Sequence, residues 1–350
     1  MSKSLILISV FMTLLAGCAA GIPSKASGAP TGSTLKNEIN RIAGPYSLKV
    51  PSWELGNLLQ PLDNRNGQND RGVDLRDLDS QIESVLKDQG ISIIPPVRIR
   101  LERPPLLLVI SPRDKIEYFD RILLPQNLNL RQQESLENQL ASLNVSALVM
   151  ELGGIAAAYP AFVSPDMNIR DVIDAAAEEW SHQTLAFRPL GYLYLLDSLG
   201  LSQNPDVITM NETLAGLMAG EIGQKVYENY YKGSGGQPTT NSIDGFNFDN
   251  EMRVTRKNVD VLLARGDIDG AEQYMDERCL VFNENGYSIR KLNQAYFAFH
   301  GIYGQDPGAV SPVNDAMHKL RAKYSSLSQF IEEASKLTSY ADLQRVTSGY

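Results

Sequence analysis

The chain has 350 residues, of which 43% are apolar and 21% charged, and its formal net charge is −9. That composition is ordinary for a globular protein. The negative balance, with no basic stripe to offset it, excludes nucleic acid and an anionic membrane surface as binding partners.

Lys3 makes a short positive start, and Leu5 to Leu15 form an apolar run too short to span a bilayer. Leu15-Ala16-Gly17-Cys18 follows and resembles the lipobox of bacterial lipoproteins. The resemblance implies that residues 1–17 are a signal peptide removed on export and that Cys18 carries the lipid. The mature chain would then sit in the cell envelope, outside the cytoplasm, held to the membrane by its lipid. Residues 18–33, rich in Gly, Ala, Ser and Pro, read as the lipidated Cys and a flexible tether. With Cys18 acylated only Cys279 remains, which excludes an internal disulfide and a Cys-based zinc site. Roughly 315 residues then remain, enough for one large core or two lobes.

Short helices are expected at 37–43 and 52–59, and a clearer one over 74–89, where Leu75, Leu78, Ile82, Val85 and Leu86 share one face. The period then changes. Runs at 91–94, 97–101, 106–110 and 116–124 read as strands between Pro-containing turns. Leu128, Leu136, Leu140 and Leu143 mark a helix leading into a run at 145–152, and residues 155–163 read as one edge strand, with Pro160 fitting only an edge or a strand end. Asp166 or Asn168 caps a long helix that must stop near Arg188, because Pro189 follows. A second long helix opens at Asp206 and runs to about Tyr231, with Gly220 and Gly223 suggesting close approach to a neighbour. After a polar loop the chain reads as helical at 252–266, 268–283, 289–303, 313–324 and 327–337.

The long helix carries Glu178-Glu179-Trp180-Ser181-His182. Glu178 and His182 lie one turn apart on one face, so their side chains can converge while Glu179 sits beside them. Thirty positions on comes Asn211-Glu212-Thr213-Leu214-Ala215. Read alone, Asp171, Asp174 and Glu178 also make a solvated acidic face, and His182 an ordinary helix histidine.

The pair of segments resembles the gluzincin branch of the zincin metallopeptidases, whose His-Glu-x-x-His helix is followed by a second helix with a Glu ligand. Here Glu178 stands at the first His of that pattern. The resemblance implies zinc as cofactor, Glu178, His182 and Glu212 as ligands, and Glu179 as the general base toward a peptide substrate. Tyr296 and His300, one turn apart, would be donors to the transition-state oxyanion. Two anionic ligands leave less charge on the metal and favour harder ions such as Mn or Fe.

The fold expected is α+β and helix-rich: a zincin-like lobe at 34–231 with a small sheet and two site helices, a loop at 232–250, and an all-helical subdomain at 251–350. The function expected is that of an envelope lipoprotein resembling a zinc metallopeptidase. The alternative is a catalytically inactive zincin-like lipoprotein that serves as a binding or assembly module.

Overall fold

The computed structural model describes residues 32–48, 75–156, 159–198, 201–202, 204–232, 246–304 and 306–348. Cys18, the signal segment, the tether, the helix expected at 52–59 and most of the loop at 232–250 lie outside the described residues.

In chain order the elements begin with helices α1 (Gly32–Ala43) and α2 (Leu78–Asp88) and strands β1 (Ile99–Leu101), β2 (Leu106–Pro112) and β3 (Asp120–Leu124). Helix α3 (Leu130–Ala141) precedes strands β4 (Val145–Met150), β5 (Gly154–Ile155) and β6 (Ala161–Val163). Helices α4 (Ile169–Leu185), α5 (Pro189–Ser198), α6 (Pro205–Val226), α7 (Phe248–Ala264), α8 (Ile268–Glu284) and α9 (Gln294–His300) follow. The chain closes with α10 (Pro312–Ala322), α11 (Leu327–Ala334) and α12 (Tyr340–Ser348). Among the described residues the protein is thus helix-rich α+β, with two sheets of three strands.

The first sheet runs β3-β2-β4, antiparallel throughout. Alternation along β2 divides its side chains between two faces. Leu106, Leu108 and Ile110 pack with Ile39 of α1 and Leu136 and Leu140 of α3, while Leu107 and Val109 pack with Leu148 and with Ala295 of α9. Both faces are covered, which explains why β2 reads as a continuous apolar run.

The second sheet runs β1-β6-β5, with β1 parallel and β5 antiparallel to β6. Two strand expectations change here. Residues 155–163 are not a single edge strand but contribute to a hairpin: β6 is central and β5 is the edge. Ile91 to Ile94 joins no ladder. That segment is instead clamped by α4, where Trp180 Nε1 donates to the Pro95 carbonyl at 2.9 Å and Thr184 Oγ1 to the Ile94 carbonyl at 2.7 Å.

Helices α4 and α6 lie side by side in the largest core, which buries Ile173, Ala176, Ala177 and Trp180 with Met210, Leu214, Met218 and Ile222. Asn168 caps α4 by accepting from the Asp171 N–H at 3.1 Å, and Asn204 caps α6 by accepting from Val207 at 3.3 Å. Gly223 is the close-approach glycine, since a Cβ there would overlap Asp174 of α4, whereas Gly220 faces open space.

The helices after residue 248 do not form one separate subdomain. Helices α7 and α8 pair around a core of Met252, Val259, Ala271, Met275 and Phe282, which Phe297 of α9 joins. Helix α9 covers the first sheet, and α10, α11 and α12 join the core around α6. An apolar stripe fixes that a helix is half-buried but not which neighbour it meets.

Candidate metal centre

The α4/α6 packing brings together three groups thirty-four positions apart at the extremes: Glu178, His182 and Glu212 each present a ligand atom, all within 4.8 Å of one another. Glu212 is 4% exposed, and its Oε2 stands 3.2 Å from His182 Nε2. Its other oxygen, Oε1, accepts from the Tyr194 hydroxyl at 2.7 Å. Tyr194 reaches it from α5, and its ring stacks on His182 with centroids 5.7 Å apart. On the far side of the imidazole, Asn211 of α6 meets Nδ1 at 3.1 Å.

The electrostatics follow from burying three carboxyls with one imidazole. Burial pushes Glu178 up to about 7, with Glu212 and Asp174 adding to it against the opposing pull of His182. Burial pushes Glu179 up to about 8, again against His182. For His182, burial works against the cation but the Glu212, Glu179 and Glu178 charges outweigh it and raise it to about 9. Glu212 is the carboxylate held ionised: burial opposes the charge, and His182, Tyr194 and Arg121 overcome that. A protonated His182 donates from both ring nitrogens, so Asn211 must turn its Oδ1 to Nδ1–H. That turn also gives a partner to Asn211 Oδ1, which otherwise is buried without one.

The donor set fits a small metal ion. Two donors bound about 2.0–2.1 Å from one tetrahedral ion stand ~3.3 Å apart, close to the 3.2 Å between His182 Nε2 and Glu212 Oε2. Glu212 Oε2 is buried and faces His182 Nε2 as an ion pair, so an ion seated between them would displace the His182 proton. Glu178 brings a carboxylate oxygen within 4.8 Å of the other two ligand atoms.

Glu179 lies beside this group and is 9% exposed. Its carboxylate rests on Gly154 of β5, where a Cβ would overlap it. Tyr296 and His300 have other partners: their rings are 4.1 Å apart, and His300 Nδ1 meets Asp306 Oδ2 at 2.6 Å. From the same segment, Tyr303 has its hydroxyl held protonated by burial and by the charges of Glu212 and Glu178. Its position is set by Gly304, which touches Thr213 of α6 with no room for a side chain. Glu221, nine residues after Glu212, is tied to Arg321 of α10 at 2.6 and 2.9 Å and serves the packing of α6.

Arg121 comes from β3 and Tyr118 from the segment just before it, and neither was anticipated. Burial disfavours the Arg121 cation, but the oxygens of Tyr194, Tyr118 and Glu212 outweigh it. The guanidinium lies over the Tyr118 ring at 5.9 Å. A charge opening the apolar run Arg121-Ile122-Leu123-Leu124 is the sequence signal that marks it.

No protein-family model, no curated protein and no solved structure matches this chain.

Proposed function

We propose that the chain is a lipid-anchored envelope protein of the zincin type that hydrolyses peptides at the α4/α6 centre. The observation that carries this reading is the convergence of Glu178, His182 and Glu212 within 4.8 Å of one another, with Glu212 buried. These three side chains would hold zinc, which when bound supplies a Lewis acid and makes its water more acidic.

The remaining work falls to the chain. An extended peptide adding to the β5 edge would pass Gly154, and Glu179 touches that glycine. Glu179 then takes the proton of the attacking water on its carboxylate, for which it must be ionised. Tyr194, kept protonated by burial and the Glu212 charge, puts a hydroxyl against the centre. Lipid on Cys18 confines this to the membrane face of the envelope.

A second reading has its own support. His182 and Glu212 already form an ion pair, and Glu178 and Glu179 are shifted toward their neutral forms, so the cluster is compensated without a metal. On that reading the fold is a binding or assembly module. Incubation of the mature chain with zinc and a mixture of peptides separates the two. The enzyme reading expects cleavage that disappears in Glu179→Gln; cleavage equal in both forms, or none at all, favours the module.

A further inference from the structure

Tyr194 engages both helices of the centre at once. Its hydroxyl donates to Glu212 Oε1 at 2.7 Å, and its ring lies over His182 at 5.7 Å with the planes 20° apart. Helix α5 is fixed where it turns back from α4: Gly191 lies against the Leu185 carbonyl with no room for a Cβ, and the Leu190 N–H donates to the Ser335 carbonyl at 3.1 Å. Tyr194 is therefore a rigid donor that occupies Oε1 and leaves Oε2, 3.2 Å from His182 Nε2, as the oxygen that can take an ion in place of the His182 proton.

We infer that Tyr194 selects the metal: by occupying Oε1 it holds Glu212 to one ligand oxygen and favours a small four-coordinate ion over larger, six-coordinate ones. The inference rests on reading Glu178, His182 and Glu212 as ligands. A set of two carboxylates and one imidazole would by itself drift toward oxygen-loving ions, which accept both oxygens of a carboxylate and take six or more donors. Zinc is satisfied by three protein ligands and one further position. Denying one oxygen costs zinc nothing and costs the larger ions a donor.

The test compares Zn2+ and Mn2+ affinities by competition titration of the full mature chain in detergent, for wild type, His182→Ala and Tyr194→Phe. Phenylalanine keeps the stack on His182 and removes only the donor. In Tyr194→Phe, zinc binding should weaken about tenfold, the lower end of what loss of an outer hydrogen-bond partner does. Manganese binding should hold or improve, so the zinc-to-manganese preference falls at least tenfold. Equal weakening of both metals overturns the inference and leaves Tyr194 a packing residue, with the metal site intact. The wild-type chain gives a second reading that needs no variant: bound Co2+ should show the intense visible absorption of a four-coordinate ion. A weak six-coordinate spectrum overturns the inference. Failure of wild type to bind any of these ions overturns the metal reading and this inference together.

Discussion

The carboxylate of Glu179 rests against the backbone of Gly154, so closely that a methyl group at residue 154 would overlap it. The contact joins the edge strand β5 to the helix α4 that carries the centre, and it sets where the proposed base points. Because Glu179 is buried, its carboxylate has little room to step aside.

Gly154→Ala should therefore destabilise the fold by about 1–3 kcal/mol, the usual cost of overpacking. It should also depress peptide hydrolysis far more than zinc affinity, because Glu178, His182 and Glu212 are not displaced. Thermal melts and zinc titration on the one variant check both halves. Unchanged hydrolysis with a normal melt would remove Glu179 from the reaction.

The metal-free protein should lose stability as pH rises. Glu178 and Glu179, raised from 4.5 to about 7 and about 8, contribute stability that is fully present below 4.5 and lost as pH climbs through those values. His182, raised from 6.5 to about 9, contributes below 6.5 and loses its contribution up to about 9. All three run the same way, so chelated protein should melt progressively lower from pH 5 to pH 9, by a few kcal/mol in total. Glu178→Gln should flatten the early part of that fall. Added zinc should stabilise more at pH 8 than at pH 6, because the ligands must shed protons to bind it.

Much of the local structure was legible in the sequence. The cap at Asn168, the stop before Pro189 and the Glu178–His182 spacing all follow from short-range rules, and the structure has them. The pairing of Glu212 with His182 was readable as motif order. What surrounds the pair was not: Arg121 arrives from β3, Tyr118 from the segment just before it and Tyr194 from α5. Their placement depends on tertiary contacts between distant segments, which helical and strand periodicity do not encode. The same limit explains Tyr296 and His300, whose one-turn spacing was real but served a local contact with Asp306.

Replacing the anion at the first motif position should strengthen the centre. Glu178→His puts a neutral imidazole where a carboxylate of pKa about 7 stood, leaving more positive charge on a bound ion. Zinc affinity should rise, and peptide hydrolysis should rise with it. Adding Glu179→Gln should abolish hydrolysis while sparing zinc. Hydrolysis that falls in Glu178→His would mean that the site is tuned to a carboxylate ligand.

Cys18, though outside the described residues, carries the anchoring proposal. Cys18→Ser should yield unprocessed precursor or a soluble product, whereas wild type should partition into detergent. A wild-type mature chain that never enters the detergent phase would remove the lipid anchor.

The most direct measurement is the metal content of the mature chain, purified in detergent and equilibrated with zinc, with His182→Ala alongside. The account predicts one ion per wild-type chain and loss of that ion in the variant, because His182 would be the nitrogen ligand of the group it forms with Glu178 and Glu212. A wild-type chain that remains metal-free in excess zinc, or a His182→Ala chain that keeps its ion, would contradict it.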